Sequence, residues 1–328
     1  MTFNGAYFVS QSKKVKEMSA EAKKPTLLIA LGGNALIRAG QAGTIEEQFE
    51  NLRVPIKQIA KLSKDYRIII THGNGPQVGN LLLQQENCDA VPKLPLEILV
   101  AQNEGQIGFM IESSLDEELM ALDIDFQPLV SLITYVVVDK NDPAFENPSK
   151  PIGPIFTEEE AKKLDYPTVK TAKGYRRVVA SPKPVTIVEK REIKLLMEND
   201  FIVICCGGGG IPVVRQGRAF SGVNAVIDKD FASLCLARET GVDIFLIATD
   251  EDGVMINYGT DKQEKLENLT DSQTEAYIKE GQFPAGSMLP KVKACREFIG
   301  MGGDKAVICS VESICEALED KAGTRFIP

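Results

Sequence analysis

The chain has 328 residues, 44% of them apolar, seven cysteines and a formal net charge of −9. That length supports a substantial core in one large α/β domain or two lobes, and the acidic balance excludes a general affinity for nucleic acid or for an anionic membrane surface. No apolar run reaches the roughly 20 residues of a membrane-spanning helix, so a cytoplasmic protein is expected, or an organellar one if its first residues are a presequence.

Residues 1–24 have no core-like periodicity and carry Lys13, Lys14 and Lys16, with a second methionine at Met18. They read as a leader: a disordered tail, an extension that is not native, or a presequence, although the acid-free, Arg-rich pattern of the last is missing. From Pro25 onward, short apolar strands alternate with helical stretches. Strands are predicted at Thr26–Leu31, Arg67–Thr71, Gln127–Ile133, Phe201–Cys206, Asp243–Ala248 and Lys305–Ser310. Helices are predicted at Ile45–Ser63, Pro76–Gln85, Leu96–Leu122, Lys190–Asn199, Asp228–Glu239, Thr270–Glu280 and Leu289–Gly300. Apolar strands separated by helices belong to a sheet covered on both faces. The expected fold class is therefore α/β: a three-layer α/β/α sandwich with a mainly parallel central sheet.

Between Lys140 and Pro184 the pattern changes to turn chemistry, with Asn141-Asp142-Pro143, Asn147-Pro148-Ser149-Lys150-Pro151 and Gly153-Pro154, then an acidic helical stretch and a basic one. This reads as a small inserted lid subdomain over about 140–184. It sits within an N-terminal lobe of residues 25–199, and residues 200–328 form the C-terminal lobe.

Three glycine-rich turns follow strands. Leu31-Gly32-Gly33-Asn34-Ala35-Leu36 and His72-Gly73-Asn74-Gly75-Pro76-Gln77-Val78-Gly79 each open a helical stretch, so their backbone N–H groups and the helix dipole converge on a small anion. Gly207-Gly208-Gly209-Gly210 is entropically costly at a strand end and requires some close backbone approach. No Gly-Lys-Ser/Thr follows at Walker A spacing. Gly73, Gly75 and Gly79 have one residue too many for a dinucleotide fingerprint and lack its acidic partner, which argues against a dehydrogenase.

The cations come from separated places. Lys140 ends Tyr135-Val136-Val137-Val138-Asp139, while Lys229 and Lys291 each lie in the first turn of a helix. The macrodipole disfavours a cation there, so such lysines are either solvated or serve a bound anion. Asp228 and Asp230 flank Lys229; one caps the helix, and one of them can also hold the lysine in place. His72, the sole histidine, has no nucleophile partner and reads as structural. The seven cysteines, odd in number and without metal-site spacing, read as reduced thiols of an intracellular protein.

Taken in order, LGGNAL, THGNGPQVG, VVVDKNDPAF with NPSKPIGP, ICCGGGGIPV, AVIDKDFAS, TDEDGV and GSMLPKV resemble the carbamate kinases of the amino-acid kinase fold, from about Pro25 to Pro328. The resemblance implies reversible phosphoryl transfer between ATP and carbamate to give ADP and carbamoyl phosphate, run towards ATP in arginine catabolism, with Mg²⁺ carried by the nucleotide and no metal site of its own. It implies that Gly32, Gly33, Asn34, Gly73 and Asn74 hold the carbamoyl group and the transferring phosphate. Lys140, Lys229 and Lys291 are then the catalytic cations. Gly208, Gly209, Asp228, Thr249, Asp250, Tyr258 and Met288 are then the nucleotide-binding residues. The family also implies a homodimer, for which the Leu96–Leu122 helix supplies either interface or core. Two alternatives stay open: another acyl kinase of this fold, acting on acetylglutamate or glutamate, and a non-enzymatic metabolite sensor.

Overall fold

Strand β1 (Thr26–Leu31) lies in the middle of an eight-stranded sheet, and all six of its residues are buried. Leu27, Ile29 and Leu31 face one core, Leu28 and Ala30 the other. That alternation is the two-residue period of a strand covered on both sides. The other strands are β2 (Arg67–His72), β3 (Leu129–Ser131), β4 (Ile202–Ile204), β5 (Ile244–Thr249), β6 (Asn268–Thr270), β7 (Lys305–Ser310) and β8 (Thr324–Ile327). Their spatial order is β6-β8-β7-β5-β1-β2-β4-β3, parallel throughout except at β7/β8.

The structure is a computed structural model that describes residues 24–38, 40–124, 127–171 and 174–328. The expected leader, apart from Lys24, and the side chain of Asn34 lie outside the described residues.

Helices α1 (Ile45–Leu62) and α3 (Leu96–Ala121) put Leu52, Ile56, Ile59, Ile107, Ile111 and Leu115 into the core on one face of the sheet. The other face is covered by α4 (Lys190–Glu198), α5 (Lys229–Thr240) and α7 (Met288–Gly300), through residues such as Ile193, Leu236, Val292 and Phe298. Between α5 and α7 in the sequence lies α6 (Asp271–Lys279). The helix starts follow their caps. Thr44 with Glu47, and Thr270 with Gln273, form capping boxes, and Asp228 caps α5 by accepting from Asp230 N. The three-layer sandwich with a mainly parallel sheet is thus the observed architecture.

Two predicted strands are shorter than expected. Gln127–Ile133 is strand only at Leu129–Ser131, because the chain then turns and Thr134 N donates to the Glu104 carboxylate. Phe201–Cys206 narrows to Ile202–Ile204, because Cys206 takes a left-handed conformation with φ 51°. Besides the hairpin of Val254–Ile256 and Glu264–Leu266, two smaller sheets among the described residues were not legible as core strands. One has the order Ala219–Gly222, Ile211–Gln216, Tyr135–Val138, Pro184–Ile187. The other, Lys150–Phe156 with Gly174–Val179 and Thr168–Thr171, falls within the 140–184 stretch. Its strands are half exposed and carry prolines, arginines and lysines, so no continuous apolar run marks them.

This small sheet docks on α2 (Gly75–Glu86), where a Cβ on Gly79 would overlap the backbone of Gly153. Gly105, in α3, has nothing within 4 Å of the same position. The two helix glycines should therefore respond oppositely to alanine. Gly105→Ala is expected to stabilise by about 0.5–1 kcal/mol through helix propensity. Gly79→Ala is expected to destabilise by about 1–3 kcal/mol through overpacking. Urea unfolding midpoints of both variants check this.

Candidate active site

Because β1, β2, β4 and β5 run parallel, their carboxyl ends share one edge of the sheet, and so do the loops that follow them. Such an edge is where α/β sheets hold ligands. The first turn is anchored by Gly32 N, which donates to Ala248 O at 2.8 Å, and a Cβ on Gly32 would stand 3.5 Å from Thr249 Cα. The second turn abuts it: a Cβ on Gly73 would lie 3.2 Å from Gly33 N and 3.6 Å from Lys229 Cδ. Next to it Asn74 is 2% exposed, and its Nδ2 has no hydrogen-bond partner among the described residues.

The four-glycine turn closes over this second turn. A Cβ on Gly207 would overlap the His72 ring, one on Gly208 the Asn74 amide, one on Gly209 the carbonyl of Ile227 and one on Gly210 the side chain of Val136. The close approach demanded by the sequence is therefore made by the protein's own groups. Positive φ at Gly208, Gly209 and Gly210 adds a second reason for glycine. His72 is structural, as expected: it is buried, its Nδ1 lies 3.1 Å from Gly73 O, and burial pushes it down to about 4, so the ring is neutral at pH 7.

Two of the three predicted lysines meet. Lys229 Nζ donates to Asp230 Oδ1 at 2.6 Å, and Lys291 Nζ to Asp230 Oδ2 at 2.9 Å. Asp228 uses one oxygen to cap α5, and the other receives Lys150 Nζ at 2.5 Å. Burial pulls Lys229 down to about 8 against the opposing pull of Asp230. Burial opposes the charge on Lys291 too, but Asp230 overcomes it and holds that lysine above its ordinary value. Burial alone would raise Asp230; the two lysines hold its carboxyl well below the usual carboxylate range.

The remaining predicted residues divide. Thr249 is buried at the end of β5 and donates to Asp250 Oδ1, whose charge also bears on Lys291. Met288 opens α7, packed against the core. Tyr258 is 56% exposed and donates to Glu251, and Lys140 is exposed in the turn after Tyr135–Val138 with no ion-pair partner among the described residues. No contact joins either of these two to the lysine pair.

The model of the Amino acid kinase family matches residues 25–310. The carbamate kinase of Thermococcus kodakarensis is 47% identical over 311 residues, covering 92% of this chain and 98% of that one. The chain belongs to the amino acid kinase family, among its carbamate kinases. Its fold is also that of a solved carbamate kinase from Giardia lamblia bound to citric acid, with a TM-score of 0.88 at 39% identity, covering 93% of this chain and 98% of the other. A second Giardia lamblia carbamate kinase structure, bound to AMP-PNP, matches with a TM-score of 0.83 at 39% identity over 93% and 98% of the two chains.

Several groups of this carbamate-kinase site had no assigned role in the sequence. Lys150 stood inside NPSKPIGP, and only the fold brings it to Asp228, 78 residues away. Glu104, one residue within the predicted Leu96–Leu122 helix, is 3% exposed, accepts from Thr134 N, and burial raises it well above the usual carboxylate range. Arg176 lay in the basic stretch of the insertion, with no role of its own assigned. All seven cysteines are free, five of them buried, as the spacing suggested.

Only a protonated Lys229 could neutralise a bound phosphate. Because its ordinary value of 10.5 is lowered to about 8, kcat/KM is expected to fall as pH rises through about 8. In Lys229→Arg, whose guanidinium does not titrate in that range, the alkaline fall should disappear even though the rate is lower. A pH–rate profile of both proteins checks this.

Proposed function

We propose that this carbamate kinase transfers a phosphoryl group reversibly between ATP and carbamate, and that it does so by positioning and charge neutralisation alone. The observation that carries the reading is the pair of buried lysines on one aspartate beside two glycine turns. The attacking carbamate oxygen is already anionic, so no general base is required. What the reaction needs is two anions brought into line and charge stabilised on the transferring phosphoryl group. Backbone N–H groups at Gly32, Gly33 and Gly73, the Asn74 amide, and Lys229 and Lys291 supply that. Asn34 and Lys140 are assigned to the same anion by family resemblance.

The nucleotide is placed over the C-terminal lobe, by Gly208, Gly209, Asp228, Thr249, Asp250, Tyr258 and Met288. Nucleotide binding as such is supported by the AMP-PNP bound to the similar Giardia lamblia protein. Among the described residues no group of three or more His, Cys, Asp or Glu side chains is arranged to hold a metal ion. Asp228 and Asp230, the carboxylates nearest the lysines, are already engaged. Mg²⁺ is assigned to the nucleotide phosphates by the family resemblance, where it adds charge neutralisation. Among those residues no helix is long and apolar enough to cross a membrane. The reading includes an ATP-forming role in arginine catabolism and a homodimer. The outward stripe of α3, with Ile98, Phe109 and Met120 exposed, would supply the dimer contact.

The deciding assay is ATP formation from ADP and carbamoyl phosphate with Mg²⁺, run beside acetylglutamyl phosphate. Turnover with carbamoyl phosphate alone is expected; turnover only with the other acyl phosphate would move the assignment to the rival kinases. Lys229→Ala should lose about 10²–10³ in kcat, the typical worth of one positioned electrostatic donor, with its circular dichroism unchanged. Near-normal turnover in that folded variant would remove Lys229 from the mechanism. The 140–184 body is proposed to close as a lid, so hydrogen exchange there should slow when ADP and carbamoyl phosphate are added.

A further inference from the structure

The four-glycine turn hangs at both ends on one residue. Cys206 N, just before it, donates to Thr134 Oγ1 at 3.0 Å, and Ile211 N, just after it, donates to Thr134 O at 2.8 Å. The same hydroxyl donates to Leu132 O at 3.0 Å, so Thr134 Oγ1 is used in both directions. Thr134 is 0% exposed, and its remaining backbone group, the N–H, donates to Glu104 Oε2 at 3.0 Å. Four glycines have no side chains with which to fix their own backbone, so the position of this turn is set from outside, by Thr134 and by what holds Thr134.

Glu104 also meets the turn directly. A Cβ on Gly207 would stand 3.2 Å from Glu104 Cγ and 2.4 Å from His72 Nε2, and one on Gly208 would stand 2.1 Å from Asn74 Nδ2. The turn therefore packs against Glu104 and, through His72 and Asn74, against the second glycine turn.

Stability gives a poor account of a carboxyl at this place. Glu104 is 3% exposed, and its Oε1 has no hydrogen-bond partner among the described residues. A buried polar atom left without a partner costs about 1–3 kcal/mol. Burial raises the carboxyl well above its usual range against the pull of the Thr134 N–H, and the charge of Glu189, which accepts the next N–H, that of Tyr135, at 2.8 Å, adds to the rise. An uncharged carboxyl still accepts from Thr134 N, so the bond that places Thr134 survives protonation, and the amide of glutamine is its nearest substitute.

We propose that Glu104 is a positioning residue of the phosphoryl-transfer site, acting through Thr134 to hold the Gly207–Gly210 turn in register with Asn74. This deepens the carbamate kinase reading and rests on it. It gives α3, which packs on the opposite face of the sheet from the lysine helices α5 and α7, a part in placing both the anion turn and the nucleotide glycines Gly208 and Gly209.

The test uses the full chain with Glu104→Ala, Glu104→Gln, Thr134→Val and the double variant Glu104→Ala/Thr134→Val, assayed where circular dichroism shows each fully folded. For ATP formation from ADP and carbamoyl phosphate, kcat should fall about 10- to 100-fold in both Glu104→Ala and Thr134→Val, the cost of an ångström-scale misplacement. Glu104→Gln should recover most of that loss. The double variant should be within about threefold of the slower single one, because both substitutions cut one chain of contacts. Loss of stability alone would lower the melting temperature and leave kcat of the folded protein unchanged. A kcat in folded Glu104→Ala within about twofold of wild type, or a double variant whose loss is the product of the two single losses, would overturn the inference. If Glu104→Ala did not fold, Thr134→Val would decide, with a wild-type kcat overturning the proposal and a tenfold fall supporting it. If the wild-type chain turned over no carbamoyl phosphate, the carbamate kinase reading would fail, and amide exchange would decide the role of Glu104 alone. Exchange at Cys206 and Ile211, which both bond to Thr134, should then speed at least about tenfold in Glu104→Ala; unchanged exchange at both would sink it.

Discussion

The site depends on one carboxylate placed between two buried ammonium groups. Asp230 receives Lys229 on one oxygen and Lys291 on the other, and all three side chains are largely withdrawn from water. Removing one partner of a buried charge cluster typically costs about 3–5 kcal/mol, yet an apolar replacement of the whole cluster is often neutral or stabilising. Stability therefore does not explain why these charges are buried. The proposed function does, since one aspartate against two lysines leaves a net positive charge fixed in a low-dielectric setting, which suits an anion and needs no rearrangement when one arrives.

The second constraint is steric. The three glycine turns follow three different strands, β1, β2 and β4, and stack at one sheet edge, and they do so only where side chains are absent. Gly73 lies against Gly33 and Lys229, Gly208 against Asn74, Gly209 against the Ile227 carbonyl. Each glycine that the chain pays for in unfolded-state entropy allows a backbone or polar group to come within contact distance of the next. The same device joins α2 to the small sheet at Gly79 and Gly153, and so links the anion turn at the start of α2 to the element that carries Lys150.

These two constraints meet at the start of α5. Asp228 caps the helix and anchors Lys150 from the small sheet, Lys229 reaches β1 and the Gly73 turn, and Asp230 reaches α7 through Lys291. Three consecutive residues thus tie together the central sheet, the second helix layer and the inserted sheet. A solvated role for these lysines, open on the sequence alone, is inconsistent with Lys229 at 7% exposure.

The sequence by itself determined the central sheet and its helices, because strands buried on both faces must be apolar throughout and amphipathic helices must repeat with their own period. It also determined the glycine turns and the lysines in helix first turns, since each breaks a local rule that only a ligand or a close contact justifies. Half-exposed strands such as Gly174–Val179 left no such mark, because their side chains mix charged and apolar types on both faces. Only the tertiary structure decided which lysines meet: Lys229 and Lys291 are 62 residues apart and converge through α5 and α7 packing, while Lys140, equally well placed by motif, stays exposed. It alone decided that Lys150 pairs with Asp228. Charge pairing depends on distance in space, and local sequence patterns carry no information about it.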